Sequence, residues 1–426
     1  MGFADFYFKK FQTEERFINI QPSLDLGMVI SVPCFDEEYT IKALESLYFC
    51  LPTRRDVEVI VIINYPENKE AVYGIQHLNL FNELKNWADS HSKEHLKFYI
   101  HLAKLPAKTA GVGQARKIAM DEALRRFNLI NNPLGIIANF DADCICEANY
   151  LQSLENLFEN DRAAIGCSLY FEHPVSGNDF PQSVYQAIVQ YELYLRYYIE
   201  ALRQNNYPYA YHCVGSAFAV RADAYAQQGG MNKRKAGEEF YFLQKIIPLE
   251  NFRELNETKV IPSPRASERV PFGTGKVISK IIQANEAVFL TYNPAAFECL
   301  GHFFSDVLEC FKQKTDTIKS IVDHQQPAIK EFLIKNHFLD KIEEINFNCT
   351  SLRTFKQRFF TWFNGLMILQ FLNDSHDCLF TKIPIIEAAS KILMKNGIIT
   401  LIEKDPLILL NKFRNIQRSS EYRQKL

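Results

Sequence analysis

The chain of 426 residues is 47% hydrophobic and 23% charged, which predicts a folded protein of two or three domains and excludes extensive disorder. Its 48 Lys and Arg residues against 50 Asp and Glu residues give a net charge of -2, so no overall positive field attracts nucleic acid. The ten cysteines form no repeated CxxC pattern and the N-terminus lacks a signal-peptide layout, so we expect reduced thiols in a cytoplasmic protein.

Short β-branched and apolar runs alternate with helical patterns from residue 28 to about residue 265. The predicted strands are MVISVPCF, VEVIVIINY, LKFYIHL, GIIANF, AAIGCSLYF and GSAFAVR. After the first strand, EEYTIKALESLYFCL has apolar residues at helical spacing, with Glu37 and Glu38 in the expected first turn. Strands that alternate with helices predict an α/β fold with a mainly parallel sheet.

The strand pattern fades after about residue 277, and helical patterns follow it to the end of the chain. The longest apolar run, FFTWFNGLMILQFL at 359–372, is shorter than the roughly 20 residues that a membrane-spanning helix needs, so it predicts a buried or interfacial helix. The predicted organisation is an N-terminal segment at 1–27, an α/β domain at 28–284 and a helical region at 285–426.

Two carboxylates, Asp141 and Asp143, follow the predicted strand GIIANF. The carboxyl edge of an open α/β sheet is where such folds bind ligands. Two neighbouring carboxylates repel each other unless a cation lies beside them, and a hard divalent cation that also binds phosphate oxygens is the simplest partner. The alternative is a solvated turn in which Asp143 caps a helix, because so short a pattern is not specific on its own.

The segment KTAGVGQARK places Gly111 and Gly113 before a helical pattern, with Arg116 and Lys117 adding positive charge. Glycines permit close approach of the backbone, and the basic side chains suit a phosphate-bearing ligand. The same sequence is also compatible with an ordinary loop that leads into a helix, with Arg116 on a solvated face.

The segment AGEEFYFLQK places Glu238 and Glu239 at the start of an apolar helical pattern. A carboxylate there can accept a proton from a hydroxyl group, although acidic residues also favour the start of any helix. Downstream, IPSPRASERVPFGTGKVI at 261–278 carries Arg265 and Arg269 among Pro and Gly residues. This stretch fits either a loop that closes over a diphosphate or a basic, solvent-facing linker.

Five segments together resemble family 2 glycosyltransferases with the GT-A fold. In chain order they are MVISVPCFDEE, VEVIVIINYPENKE, KTAGVGQARKIAMDEAL, NFDADCICEANYLQSL and VGSAFAVRADAYAQQGGMNKRKAGEEFYFLQKI, and they cover about residues 28 to 248. The resemblance implies a Rossmann-like, mainly parallel sheet flanked by helices. It also implies a nucleotide-diphosphate sugar as the donor.

The resemblance assigns roles to the acidic residues. Asp143 matches the position that ligates a metal, Mn2+ or Mg2+, and Asp141 matches one that contacts the ribose or a metal-bound water. Glu239 matches the catalytic base, although the family usually has Asp there, so Glu238 is kept as the alternative base. Such a metal neutralises the charge that builds on the departing diphosphate.

The same resemblance predicts the residues that contact the donor nucleotide. Pro33, Phe35 and Glu37 line the end of the first strand, and Arg116 follows the glycines. Phe35 can stack on a base, or it can belong to the core. Asn64 stands where the family often has an aspartate that contacts the nucleotide, and Asn lacks the charge.

The predicted function is metal-dependent transfer of a sugar to the hydroxyl of a saccharide or lipid-linked glycan, with inversion favoured. The alternatives are a retaining glycosyltransferase, a nucleotidyltransferase and a non-catalytic module that binds sugar nucleotides. We expect a carbohydrate or glycolipid acceptor and no nucleic acid. A cytoplasmic location with peripheral contact to the inner face of the membrane is compatible with the pattern.

Overall fold

The computed structural model describes residues 2–11, 16–233, 237–267, 273–284 and 288–419. The chain divides into two compact units. The first comprises Met1–Phe180 and Cys213–Ser279, and the second comprises Pro181–His212 and Lys280–Leu426. The sequence patterns placed one boundary between residues 284 and 285, whereas the structure also gives 181–212 to the second unit.

Within the described residues, the first unit carries an eight-stranded sheet with the order β3-β2-β1-β4-β7-β6-β8-β5. The strands are β1 Leu26–Cys34, β2 Asp56–Pro66, β3 Leu96–Leu105, β4 Ile136–Asn139, β5 Ile145–Cys146, β6 Gly166–Phe171, β7 Phe218–Arg221 and β8 Phe252–Ile261. The pairs β3–β2, β2–β1 and β1–β4 are parallel, as is the pair β6–β8. Strand β7 runs antiparallel to β4 and β6, and β5 runs antiparallel to β8. The predicted α/β class with a mainly parallel sheet is confirmed.

Helices cover the sheet of the first unit. They are α1 Asp5–Phe11, α2 Thr40–Tyr48, α3 Glu70–His91, α4 Val112–Leu129, α5 Tyr150–Asn160, α7 Ala222–Gln227 and α8 Glu238–Ile246, while α9 Thr274–Ala284 runs across the division at residue 279. Every residue of β1 is buried, which is why its sequence is a continuous apolar run rather than an alternating one. Parallel pairing brings the carboxyl ends of β1, β2 and β4 to one edge of the sheet.

In the first unit, one predicted helix start differs from the structure and one long strand was not predicted. Helix α2 begins at Thr40, so Glu37 and Glu38 precede the helix instead of forming its first turn. Strand β8 was not predicted, because FRELNETKVI is rich in charged residues and its buried positions do not alternate. Its neighbours in the sheet supply the partners that make this polar segment a strand.

The second unit is helical, as predicted for the C-terminal region. Its helices are α6 Gln182–Gln204, α10 Pro294–Asp306, α11 Thr315–Asp323, α12 Pro327–Lys335, α13 Phe338–Phe347, α14 Leu352–Trp362, α15 Gly365–Cys378, α16 Ile385–Lys395 and α17 Pro406–Arg418. Two short strands, β9 Leu290–Thr291 and β10 Ile383–Pro384, pair antiparallel. No helix within the described residues combines the length and the apolar character that crossing a membrane requires.

The apolar run at 359–372 forms parts of two helices rather than the single predicted one. The Asn364 side chain accepts hydrogen bonds from the backbone N–H groups of Leu366 (2.9 Å) and Met367 (3.3 Å). An Asn in this position starts a new helix, because it satisfies N–H groups that have no partner inside the helix. The chain therefore ends α14 at Trp362 and begins α15 at Gly365.

A buried ionic cluster joins α6 to α17 inside the second unit. Glu192 is fully buried, and its carboxylate oxygens lie 2.8 Å from guanidinium nitrogens of both Arg196 and Arg414.

His212 is also buried in this unit. Burial, together with the nearby positive charges of Arg196 and Arg203, holds the pKa of its imidazole well below the usual value, which favours the neutral form.

Candidate functional site

Asp141 and Asp143 lie in a tight turn directly after β4. The backbone N–H of Phe140 donates to the carbonyl of Ser31 in β1 (3.0 Å), which fixes the exit of the strand. The backbone N–H of Cys144 then donates to the carbonyl of Asp141 (3.0 Å) and closes the turn. The sequence prediction that both aspartates stand at the carboxyl edge of the sheet agrees with this placement.

Arg116, from the first turns of α4, is the centre of an acidic cluster at this edge. Its Nη2 donates to Asp141 Oδ1 at 2.7 Å, and its Nη1 donates to Glu238 Oε1 and lies 3.7 Å from Glu239 Oε2. Only 2% of the Arg116 side chain is exposed. Burial alone would lower the pKa of Arg116, but the charges of the three carboxylates hold it above its usual value. Arg116 therefore faces carboxylates, which excludes the alternative in which it lies on a solvated face.

Gly215 makes room for the Arg116 guanidinium. A Cβ atom at this position would stand 2.8 Å from Arg116 Nη2, which is closer than real side chains approach one another. Sequence reasoning missed this residue, because a Gly before a strand is a common turn signal and its partner is 99 positions away in the chain.

Glu238 and Glu239 differ in access to solvent. Glu238, the first residue of α8, is 0% exposed and bound to Arg116, whereas the Glu239 side chain is 22% exposed. Burial and the neighbouring charge of Glu238 raise the pKa of Glu239 to about 7, although Arg116 opposes the rise. Of the two candidate bases, Glu239 is thus the one whose carboxylate can be reached, while Glu238 is enclosed.

Arg265 forms a second link across the site. Its Nη2 contacts Glu37 Oε2 and lies 3.2 Å from Asp143 Oδ2. The Glu37 side chain is buried, whereas Asp143 and Arg265 are partly exposed. Arg265 is therefore positioned at the predicted metal-binding carboxylate itself. Arg269, the other predicted loop residue, lies outside the described residues.

The carboxylates beside Arg265 are crowded with negative charge. Burial and the charges of Asp141 and Glu37 raise the pKa of Asp143 to about 6, while Arg265 opposes the rise. No group of three or more His, Cys, Asp and Glu side chains within the described part of the chain is arranged to hold a metal ion. A divalent cation nevertheless fits the chemistry, because Mg2+ in particular is often held by one or two carboxylates and by the phosphates of a substrate.

The predicted nucleotide contacts lie at the same edge with different degrees of access. Asn64 is 1% exposed, and its Nδ2 donates to the carbonyl of Cys34 (3.1 Å), so it ties β2 to the end of β1. Pro33 is buried inside β1. Phe35 is half-buried, with its ring centroid 5.2 Å from that of Tyr73 and 5.3 Å from that of His77 in α3. Phe35 thus belongs to an aromatic cluster at the rim rather than to the centre of the core.

Lys117 does not face this site, although the sequence grouped it with Arg116. Its Nζ lies 3.0 Å from Asp121 Oδ2 and donates to the hydroxyl of Tyr7 (2.8 Å). Tyr7 also donates to Asp121 Oδ1 (2.7 Å), as does Tyr225. These buried bonds attach α1 to α4, so the two adjacent basic residues have different partners: Arg116 contacts the carboxylates of the site, and Lys117 contacts Tyr7 and Asp121.

Residues 82–229 match the model of glycosyl transferase family 2. This match confirms the resemblance carried by the sequence motifs, and with it the prediction of a glycosyltransferase. No curated protein matches the sequence significantly.

Solved glycosyltransferase structures share a distant likeness with the chain. The crystal structure of S. aureus TarS 1-349 is 12% identical, with 94% of this chain and 92% of that chain covered and a TM-score of 0.38. The crystal structure of GalNAc-T7 with UDP, GalNAc and Mn2+ is 14% identical, with 61% and 48% covered and a TM-score of 0.36.

Proposed function

We propose that this glycosyltransferase, whose residues 82–229 match family 2, moves a sugar from a nucleotide-diphosphate donor to a hydroxyl of a carbohydrate or glycolipid acceptor. The observation that carries the proposal is the arrangement around Arg116. One buried guanidinium holds Asp141, at the predicted donor end, and Glu238, which precedes the accessible Glu239. A glycosyltransferase must hold the departing diphosphate and the general base at a fixed separation. The ion pairs of Arg116 link the residues on these two sides of the site.

Glu239 is the proposed general base. An acceptor hydroxyl attacks the anomeric carbon, its proton passes to a Glu239 oxygen, and the bond from the anomeric carbon to the diphosphate oxygen breaks. A pKa of about 7 suits this role, because the group is largely ionised at slightly alkaline pH yet basic enough to take a proton. A single displacement of this kind inverts the anomeric centre.

Glu238 and Arg116 are proposed as positioning residues. Glu238 is enclosed and its Oε1 accepts from Arg116, so it cannot reach an acceptor. Arg116 in turn carries the Asp141 carboxylate through a 2.7 Å hydrogen bond. Their combined effect is to fix the first turn of α8 relative to the turn after β4.

Asp143, with help from Asp141, is proposed to hold Mn2+ or Mg2+. When bound, such an ion neutralises the charge that develops on the departing diphosphate. The excess of carboxylates beside Asp143 supports this assignment, since it leaves negative charge that a cation would offset. Glu37 and the aromatic rim at Phe35 are the proposed neighbours of the nucleotide.

The proposal is tested by measuring release of nucleoside diphosphate from a panel of UDP- and GDP-sugars, with Mn2+ or Mg2+ and a mixed set of glycan acceptors. The variants are Glu239→Gln and Asp143→Asn, with Asp89→Asn as the matched control because Asp89 is an exposed residue of α3. We expect turnover in the wild type and the control and a loss of about 100-fold or more in both site variants. Equal turnover in all four proteins would contradict the assigned roles.

A further inference from the structure

Arg265 connects the exits of three strands at the site. It lies shortly after β8, Glu37 follows β1, and Asp143 follows β4. A single nitrogen, Nη2, contacts Glu37 Oε2 and lies 3.2 Å from Asp143 Oδ2. The backbone N–H of Arg265 donates to Ser263 Oγ (3.3 Å), which shapes the segment that carries it.

Arg265 supplies the positive charge that these carboxylates need when no ligand is present. An ionised carboxylate as buried as Glu37 is costly without a partner, and Asp143 adds a second negative charge beside it. The guanidinium satisfies both at once. It is also partly exposed, so it can move without opening the core of the unit.

The same geometry makes Arg265 a competitor for Asp143. The oxygen that faces Arg265, Oδ2, is one of the two that a carboxylate offers to a metal, and Oδ1 lies 3.7 Å from the Cys144 sulfur. A divalent cation on Asp143 and a guanidinium within a few ångströms of it repel each other, because both are positively charged. A cation ligated by Asp143 and the present position of Arg265 therefore oppose each other.

We propose that Arg265 is an internal counter-ion that occupies Asp143 in the donor-free protein and transfers to the diphosphate when nucleotide and metal bind together. The proposal rests on the proposed function, since it takes Asp143 as the metal-holding residue. It makes metal binding depend on the nucleotide. The metal alone must act against Arg265, whereas the diphosphate gives the released guanidinium two or more oxygens to bind.

Two binding constants should respond to the loss of Arg265 in opposite directions. Without the guanidinium, Asp143 is free for the cation, so Mn2+ alone binds more tightly. Without the same guanidinium, the diphosphate loses a charge-assisted contact, so UDP binds more weakly at saturating Mn2+. A purely structural role would weaken both, because a distorted site holds neither ligand well.

The experiment compares Arg265→Gln with Arg253→Gln. Arg253, the second residue of β8, is the matched control, because it is also a partly exposed arginine paired with a carboxylate, Asp161, at 2.8 Å. The concentration of free Mn2+ is measured by electron paramagnetic resonance in the absence of nucleotide, which gives the Mn2+ binding constant. The UDP binding constant is measured by calorimetric titration at saturating Mn2+. We expect about tenfold tighter Mn2+ binding and about tenfold weaker UDP binding in Arg265→Gln, with neither constant changed in the control.

The outcomes separate this inference from the proposed function. If the wild type binds UDP with Mn2+ but Arg265→Gln shifts both constants the same way, or leaves Mn2+ binding unchanged, the counter-ion role is overturned and the proposed function stands. If the wild type binds neither UDP nor GDP, with or without Mn2+, both the counter-ion role and the proposed function fail. Thermal unfolding of each variant shows whether it is folded. Arg265→Lys keeps the positive charge, so its Mn2+ and UDP binding constants should lie between those of the wild type and Arg265→Gln.

Discussion

Replacement of Glu239 by Gln is expected to abolish activity and yet stabilise the fold. In the wild type the pKa of Glu239 rises from 4.5 to about 7, because burial and Glu238 disfavour its charged form. At about 1.36 kcal/mol per pKa unit, this rise corresponds to a cost of about 3 kcal/mol above pH 7, as an upper limit for a side chain that keeps some exposure. A neutral Gln avoids that cost.

The pH dependence gives the sign of the effect. A carboxyl group with a raised pKa favours the folded state below pH 4.5, and this contribution is lost as the pH rises through about 7. The melting temperature of Glu239→Gln should therefore exceed that of the wild type increasingly between pH 5 and pH 8. Scanning fluorimetry at four pH values measures the difference, with Asp89→Asn as the control for the loss of one exposed charge.

The activity of the wild type should depend on the ionisation of Glu239. A general base must be ionised, so kcat/KM is expected to fall as the pH drops below about 7. Retained activity in Glu239→Gln, or a melting-temperature difference that does not change with pH, would refute the assignment of the base and its raised pKa.

Three further substitutions test the contacts that support the site and the two units. Gly215→Ala places a Cβ 2.8 Å from Arg116 Nη2, so we expect a loss of about 1–3 kcal/mol of stability and a lower kcat; full activity would contradict the close fit. Tyr7→Phe removes a buried hydroxyl that bonds Asp121, and urea unfolding should show a loss of about 1–3 kcal/mol; no loss would mean that α1 is not held by this bond. Glu192→Gln leaves two buried guanidinium groups without their carboxylate and should cost about 3–5 kcal/mol by urea unfolding; a change below 1 kcal/mol would show that the cluster is solvated.

The parts of the fold that the sequence predicted are those with a local signal. Continuous apolar runs marked β1, β2 and β4, and the position of Asp141 and Asp143 after one such run placed them at the sheet edge. Polar β8 lacks such an apolar run. It is a strand because it pairs with its neighbours in the sheet. The run at 359–372 was divided by a single cap at Asn364, which hydrophobic periodicity does not register.

The parts of the site that the sequence could not predict depend on distant partners. Arg116 and Glu238 are 122 positions apart, and their ion pair converts a residue that looks solvated into a buried one. The pairing of Arg265 with Glu37 and Asp143 requires the exits of three strands to meet. Sequence patterns singled out these residues as candidates. Which carboxylate each arginine contacts could be learned only from the folded structure.

The measurement that tests the central claim most directly is calorimetric titration with UDP and with GDP, with and without Mn2+. It is made on the wild type, Asp143→Asn and Asp89→Asn. The account predicts that the wild type and Asp89→Asn bind one of the nucleotides when Mn2+ is present and much more weakly without it, and that Asp143→Asn loses the metal-dependent part. Binding that ignores the metal, or that is equally tight in Asp143→Asn, would contradict it.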